Sequence, residues 1–312
     1  MKDKVTQNEK YPGHAEGRKG LLFAILSVVT CWFPFAGIVL GYIAMRHGEE
    51  SRKLGSHLHG TLGLIVILLG GLGFFVWFEI LNKKHFKKLS VYSKLVLLTT
   101  LCLLICGSVM FCIFEWNNPE TIGQLSAGEK IFAGIFQSAT ARTAGFAGMN
   151  QSGLTDCSKA ETMFLMLIGG SSGSTAGGLK TVTFVVLVMF LVSRARGKNK
   201  ISVFHRTVSN ADVLNAITIF SVMIVLIFFG SVFLCACDGV GLTDAAYECT
   251  SAIATVGLTT GITPSLSVYS KILLIIYMYF GRVGILTISL GFLTAKKADT
   301  EYRYAKTNLL IG

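Results

Sequence analysis

Two tetrapeptides could do chemistry of an unusual kind: Thr143-Ala144-Gly145-Phe146 and Thr255-Val256-Gly257-Leu258, each a Thr-x-Gly-apolar step set between apolar runs. Neither carries a charged side chain, a thiol or an imidazole, so what they offer is backbone carbonyls and one hydroxyl. Glycine frees the backbone to turn its carbonyls to one side, and threonine adds a hydroxyl acceptor at one end. Closely spaced carbonyls aimed at a common axis can replace the hydration shell of a monovalent cation. Within a bilayer such non-helical backbone is tolerated only where it is buried in protein or lines a water-filled path. One Thr-x-Gly-x step is a weak signal, whereas two in register are a strong one.

The elements around the two steps repeat. Each follows a short segment rich in small residues, about 129–141 and 243–254, that reads as a helix with its C-terminal, electronegative end toward the same cavity. The offset that carries Thr143 onto Thr255 also carries Gly169-Gly170 onto Gly281-Arg282. Filter-like step and following span therefore form one repeating unit. LGGLG at 69–73 is a third copy of the glycine step, with no filter-like segment at the matching distance before it.

The chain has 312 residues, 52% hydrophobic and only 14% charged, and several of its apolar runs approach the ~20 residues that cross a bilayer. Spans are expected at 61–78, 95–114, 161–192, 213–235 and 271–294, with 161–192 broken by GGSSGSTAGG. Residues 21–45, interrupted by Pro34, Gly37 and Gly41, form one span or a tight in-and-out pair. Basic stretches follow residues 78, 192 and 294 and are placed in the cytoplasm, while acidic 115–129 and 238–244 lie outside. Both filter-like segments then re-enter from the outer face. Segment 46–60 would fall outside by this count, yet it carries Arg46, Arg52 and Lys53, so either the charge rule is overridden there or residues 1–78 sit differently.

Several function classes fall away. The net charge of +11 is distributed as membrane topology and gives no nucleic-acid surface. The eight cysteines form no CxxC pair and read as packing residues; His47, His57 and His59 lack ligand partners and read as a solvated loop. GGSSGSTAGGLKT is no phosphate loop, because Leu179 follows Gly178 where lysine is required. No paired carboxylates, nucleophile–base pair or metal cluster lies inside the spans, so no enzyme is expected.

Through QSATARTAGF, LMLIGGSSGSTAGGLKT, TVGLTTGITP and FGRVGILT, the stretch from about 64 to 292 resembles the membrane subunits of bacterial Trk and Ktr potassium uptake systems. Within that Trk/Ktr/HKT superfamily the Ktr-type pore subunit is the nearer relative. The resemblance implies an all-α polytopic protein of the bacterial cell membrane, with four span–pore helix–span units around one pseudo-fourfold path. It implies potassium as substrate, no covalently bound cofactor, a homodimer in membrane lipid, and a cytosolic nucleotide-binding regulatory ring; sodium as an activator is left open.

Carried over position by position, Thr143, Ala144, Gly145 and Phe146 would be the third filter quarter, and Thr255, Val256, Gly257 and Leu258 the fourth. Gly169, Gly170, Ser171, Ser172, Gly173, Ser174, Thr175, Ala176, Gly177 and Gly178 would form an intramembrane gating loop, with Lys180 at its end and Arg282 nearby in the cavity. An arginine inside a membrane is functional by default; a structural clamp is its other reading.

The family has four filters and this chain has two, so the resemblance reads the chain as N-terminally truncated or rearranged. The expected organisation is an atypical membrane segment (1–60), a remnant second span with a basic loop (61–94), and two complete units (95–212 and 213–312). Monovalent cation transport is the leading function. A non-conducting subunit that assembles with or regulates a full-length transporter is the alternative.

Overall fold

A computed structural model describes residues 64, 67–68, 70–83, 85–174, 176–197, 201–203 and 206–283. The expectations for 1–60, for Thr175, for the end of the last span at 284–294 and for the basic tail lie outside the described residues. In chain order the elements are α1 (Gly73–Lys83), a 3-10 turn (Phe86–Lys88), α2 (Val91–Glu115), α3 (Ala127–Ala141), α4 (Asp156–Leu167), α5 (Thr181–Ala195), β1 (Ser202–Val203), β2 (Arg206–Thr207), α6 (Asn210–Asp238), α7 (Leu242–Ile253), a 3-10 turn (Thr263–Ser265) and α8 (Val268–Val283). The two strands form a minimal antiparallel hairpin, Ser202 opposite Thr207.

Local chemistry sets the boundaries. Ser126 and Glu129 form a reciprocal capping box, so α3 starts at Ala127, earlier than its small-residue composition suggests. α6 stops at Gly239, which takes a left-handed φ of 65°. The expected span at 161–192 resolves into two helices, α4 and α5, joined by an irregular loop whose glycines and hydroxyls have no helical preference.

With 25 and 29 residues, α2 and α6 are long and apolar enough to cross a bilayer. On α2 the exposed side chains Leu98, Leu101, Ile105, Val109 and Ile113 recur every three or four residues, an apolar stripe suited to lipid. The opposite side of α2 is built for close approach to α3. A Cβ at Gly107 would lie 2.6 Å from Ser138 Oγ, and one at Gly134 would lie 2.5 Å from Cys112 Sγ. Small residues substitute here for the hydrophobic driving force that lipid does not provide. In the second half, α7 packs on α6 and α8 and also reaches α4, while α5 packs on α2 and α6. The two halves are thereby interleaved.

A single device fixes three helix starts. Glu79 on α1 accepts from Ser90 N (2.8 Å) and Ser90 Oγ (2.6 Å), and also from Ser93 Oγ, at the start of α2. Glu115, the last residue of α2, accepts from Thr155 N (2.8 Å) and Thr155 Oγ1 (2.7 Å) at the start of α4. Asp238, the last residue of α6, accepts from Ser267 N (2.7 Å) and Ser270 Oγ (2.5 Å) at the start of α8. A carboxylate at a helix N-terminus meets both orphan amides and the positive end of the dipole. Ser267 and Ser270 follow Thr155 and Ser158 at the same offset that separates the two tetrapeptides, so the device belongs to the repeat. Lys83 first, then the Ser90 and Ser93 hydroxyls, hold the Glu79 carboxyl down to about 2.

Candidate functional site

Helix α3 runs into Arg142 and the first tetrapeptide, and α7 runs into Ala254 and the second. In both, the backbone turns sharply. Among the described residues Thr143 (φ 67°) and Thr255 (φ 55°) are the non-glycine residues with positive φ, and Gly145 (φ 73°) and Gly257 (φ 95°) follow two positions later. A β-branched residue in this region is a true outlier, costing on the order of 1–3 kcal/mol that surrounding structure must hold. The same strain recurs at the same offset, which marks a shared local conformation.

Hydrogen bonds show what enforces it. Ala144 N and Gly145 N both donate to Thr140 O at 3.1 Å, and Phe146 N donates to Thr140 Oγ1 at 2.7 Å. In the second copy Val256 N donates to Ser251 O at 2.9 Å and Gly257 N to Ser251 Oγ at 3.2 Å. The amides are thus drawn back onto the ends of α3 and α7, and Phe146 O turns the same way, accepting from Thr140 Oγ1 at 2.9 Å. The copies touch: a Cβ at Gly145 would lie 2.0 Å from Val256 O. Thr143, Ala144 and Phe146 are half-buried and Gly145 is buried; Thr255 is half-buried, Val256 and Leu258 are buried, and Gly257 is exposed.

The irregular loop lies against the threonine ends of both tetrapeptides. A neck closes it, with Gly169 N donating to Leu179 O and Leu179 N to Leu167 O, both at 2.9 Å, and Thr181 N to Gly170 O at 3.1 Å. A Cβ at Gly177 would lie 1.9 Å from Thr255 Oγ1, and one at Gly169 would lie 3.4 Å from Thr143 Cγ2. At Gly281, the counterpart of Gly169 in the second unit, a Cβ would lie 2.8 Å from Thr255 Cγ2. The glycine steps that keep register with the tetrapeptides therefore each lie beside the threonine of their own unit. Ser171 N donates to Gly71 O, Phe74 N to Gly173 O, and Tyr92 Oη to Ser172 O, which ties the tip of the loop to the first described helical segment and to α2.

Beyond the loop opens a cavity of about 370 Å³ lined by Ser174, Ala176, Gly177, Gly178 and Lys180 of the loop, Ile219 and Met223 of α6, and Gly281 and Arg282 of α8. Lys180 Nζ donates to Ala176 O at 2.6 Å, clipping the end of the loop to itself. Arg282 is exposed on the cavity wall. Structure therefore brings together both tetrapeptides, the loop, Lys180 and Arg282 as the sequence anticipates, with Thr175 outside the described residues. Among the described residues no group of three His, Cys, Asp or Glu side chains could hold a metal ion.

Other residues that brace the site are not evident from the sequence. Glu248 on α7, 5% exposed, accepts from Thr260 N at 3.0 Å and Thr263 Oγ1 at 2.9 Å, and also from Thr259 Oγ1, bracing the chain that leaves the second tetrapeptide. Gln137, Gln151 and Tyr247 form a buried amide–phenol network behind the first, with Gln137 Nε2 and Tyr247 Oη each 2.9 Å from Gln151 Oε1. Lys159 pairs with Asp244 at 2.9 Å, joining α4 to α7. Arg142, buried at the end of α3, reaches Thr100 O, Thr100 Oγ1 and Gly169 O at 3.4–3.5 Å. The signal was present: the rule that singled out Arg282, that an ionisable residue inside a membrane is costly and functional by default, applies equally to Arg142 and Glu248.

Comparison with known proteins gives the family and the fold. The family model described as "TrkH: Cation transport protein" matches residues 60–302. The chain is 38% identical over 252 residues to the potassium/sodium uptake protein NtpJ of Enterococcus hirae, covering 79% of this chain and 56% of that protein. It is 33% identical to the Ktr system potassium uptake protein B of Bacillus subtilis (81% and 57% covered) and 35% identical to that of Vibrio alginolyticus (94% and 63% covered). These relatives are named for transport, and the chain spans about three-fifths of their length. Among solved structures, the potassium transporter TrkH from Vibrio parahaemolyticus superposes with a TM-score of 0.63 at 18% identity, covering 86% of this chain and 61% of that one, which shows a shared fold. The chain belongs to the TrkH family of cation transport proteins.

Proposed function

We propose that this chain carries potassium, or a closely similar monovalent cation, across the cell membrane through a path whose selectivity rests on backbone carbonyls. Thr143, Ala144, Gly145 and Phe146 form one quarter of the filter, and Thr255, Val256, Gly257 and Leu258 a neighbouring quarter. Each quarter belongs to one span–pore helix–span unit: α2, α3, then α4 with α5; and α6, α7, then α8. The observation that carries this reading is the pair of strained threonines at matching places in the repeat, each followed two positions later by a positive-φ glycine and lying beside the glycine step that follows.

The loop from Gly169 to Gly178 acts as the gate. It lies between the threonine ends of the filter and the 370 Å³ cavity, so a cation leaving the filter meets Gly177 before the cavity. Its glycines permit the rearrangement a gate requires. Lys180 and Arg282 face the same cavity and place positive charge where a cation would emerge, which favours a closed resting state. Two further quarters would complete a fourfold filter, and the expected assembly of the protein is a homodimer. The basic inner segments, including Arg194 and Arg196, offer a surface for a cytosolic nucleotide-binding ring. The names of the relatives, potassium/sodium and potassium uptake proteins, support the choice of cation.

The test is cation flux in vesicles reconstituted with purified protein, comparing the native chain with one lacking residues 171–176. Expected is potassium or rubidium flux that exceeds sodium flux and rises when the loop is removed. Absence of flux from both proteins, together with co-purification of the chain with a full-length transporter, would replace this reading with that of an accessory subunit.

A further inference from the structure

Arg142 occupies the C-cap of α3, one residue before the first filter quarter, and is 9% exposed. Its guanidinium bonds are all to neutral acceptors: Nη1 to Thr100 O at 3.5 Å, and Nη2 to Thr100 Oγ1 and Gly169 O at 3.4 Å. Nε is buried without an acceptor. A buried cation held by neutral oxygens gains from the negative end of a helix dipole, and the C-terminus of α3 supplies one. The second copy has Ala254 at the matching position, whose Cβ would stand 3.4 Å from a Cβ on Gly178. The two quarters therefore meet the loop differently, through a charged fork at its start and through the uncharged Ala254 and Thr255 at its end.

Gly169 is the residue where α4 gives way to the loop, and it is already held at its amide by Leu179 O. The arginine fork takes its carbonyl. Moving the loop away from the filter must either carry Gly169 O out of reach of Arg142 or pull Arg142, and with it Thr143, along.

We propose that Arg142 is a positioning residue that couples the first filter quarter to the gating loop by holding the Gly169 carbonyl, so that the loop cannot leave its closed position independently of the filter. This deepens the transport reading and rests on it for its consequence, though the coupling itself can be read without transport.

The experiment has two arms. In the first, hydrogen exchange of the purified full chain is followed by mass spectrometry for Arg142→Gln and Arg142→Lys. Peptides covering residues 169–180 should exchange about tenfold faster in Arg142→Gln, the scale of one lost hydrogen bond to a charge, and less so in Arg142→Lys, while α6 and α7 stay as in the native protein. Unchanged exchange of the loop, or equal acceleration throughout the molecule in both variants, would overturn the proposal. In the second arm, vesicle flux is measured for Arg142→Gln with the loop intact and with residues 171–176 deleted. A rise in flux with the loop intact that vanishes in the deletion supports coupling. A change of equal size in both backgrounds would mean that Arg142 acts on the filter alone and would overturn it. If no protein passes cations yet the loop is freed in the first arm, the transport reading fails and the coupling stands.

Discussion

Gly145→Ala and Gly257→Ala should differ sharply, although the two glycines hold matching places in the two tetrapeptides. Both have positive φ, 73° and 95°. A side chain there costs about 1–2 kcal/mol of backbone strain, roughly a 5–30-fold shift in the population of the native filter. For Gly257 that is the whole cost, because an added Cβ would meet nothing within 4 Å. For Gly145 the Cβ would lie 2.0 Å from Val256 O, against ordinary contact at 3.4 Å or more. The obstacle is a backbone atom and cannot rotate away. The two quarters would have to part by roughly 1.4 Å, a displacement that carbonyl coordination of a desolvated cation does not survive. The assay is potassium and sodium uptake in cells lacking their own potassium uptake. Gly257→Ala should retain reduced uptake that still favours potassium, and Gly145→Ala should lose the preference or the uptake altogether. Equal tolerance of the two substitutions would refute the contact between quarters on which the reasoning depends.

Gly177→Ala forces the loop off Thr255 Oγ1, 1.9 Å from the added carbon, so flux in vesicles should rise; a fall would show that the loop supports the path and does not block it. Glu248→Gln replaces a carboxylate that accepts from Thr259, Thr260 and Thr263 with an amide whose nitrogen cannot accept. A loss of about 1–3 kcal/mol should lower the thermal midpoint and weaken potassium preference together, and an unaltered midpoint would argue against the brace. Glu79 gives a pH dependence with a defined sign. Its carboxyl is held near 2, below its ordinary 4.5, so its clamp on the start of α2 is fully present above about 4.5 and is lost as pH falls toward about 2. The native protein should lose thermal stability over that interval and Glu79→Gln should lose less; because the group is solvent-accessible the difference is small, and identical slopes would exclude the clamp.

The two turned tetrapeptides, the short helices before them and the broken span were legible in the sequence because each depends on local chemistry: glycine where φ must be positive, small residues where helices pack closely, hydroxyls where helix fails. The offset between Thr143 and Thr255 also carries Gly169 onto Gly281, and the structure explains why, since each glycine lies beside the threonine of its own unit. Less was legible where the partners are far apart in sequence. Glu115 and Thr155 are separated by 40 residues and Asp238 and Ser267 by 29, and no periodicity links a carboxylate at the end of one helix to the hydroxyl that starts another. The approach of Gly145 to Val256 has the same character: it joins two repeats whose likeness says nothing about which atoms face each other. Arg142 was overlooked for another reason, standing inside a motif whose interest lay in its glycine.

The central claim is that Thr143, Ala144 and Gly145, with Thr255, Val256 and Gly257, coordinate a desolvated monovalent cation through their carbonyls. Anomalous scattering from crystals of the assembled protein grown in rubidium or thallium salt tests it most directly. The account predicts ordered anomalous density on an axis beside both tetrapeptides, lost when potassium-selective uptake is abolished by Gly145→Ala. Ordered protein with both tetrapeptides resolved and no bound ion beside them, at salt concentrations that saturate uptake, would contradict it.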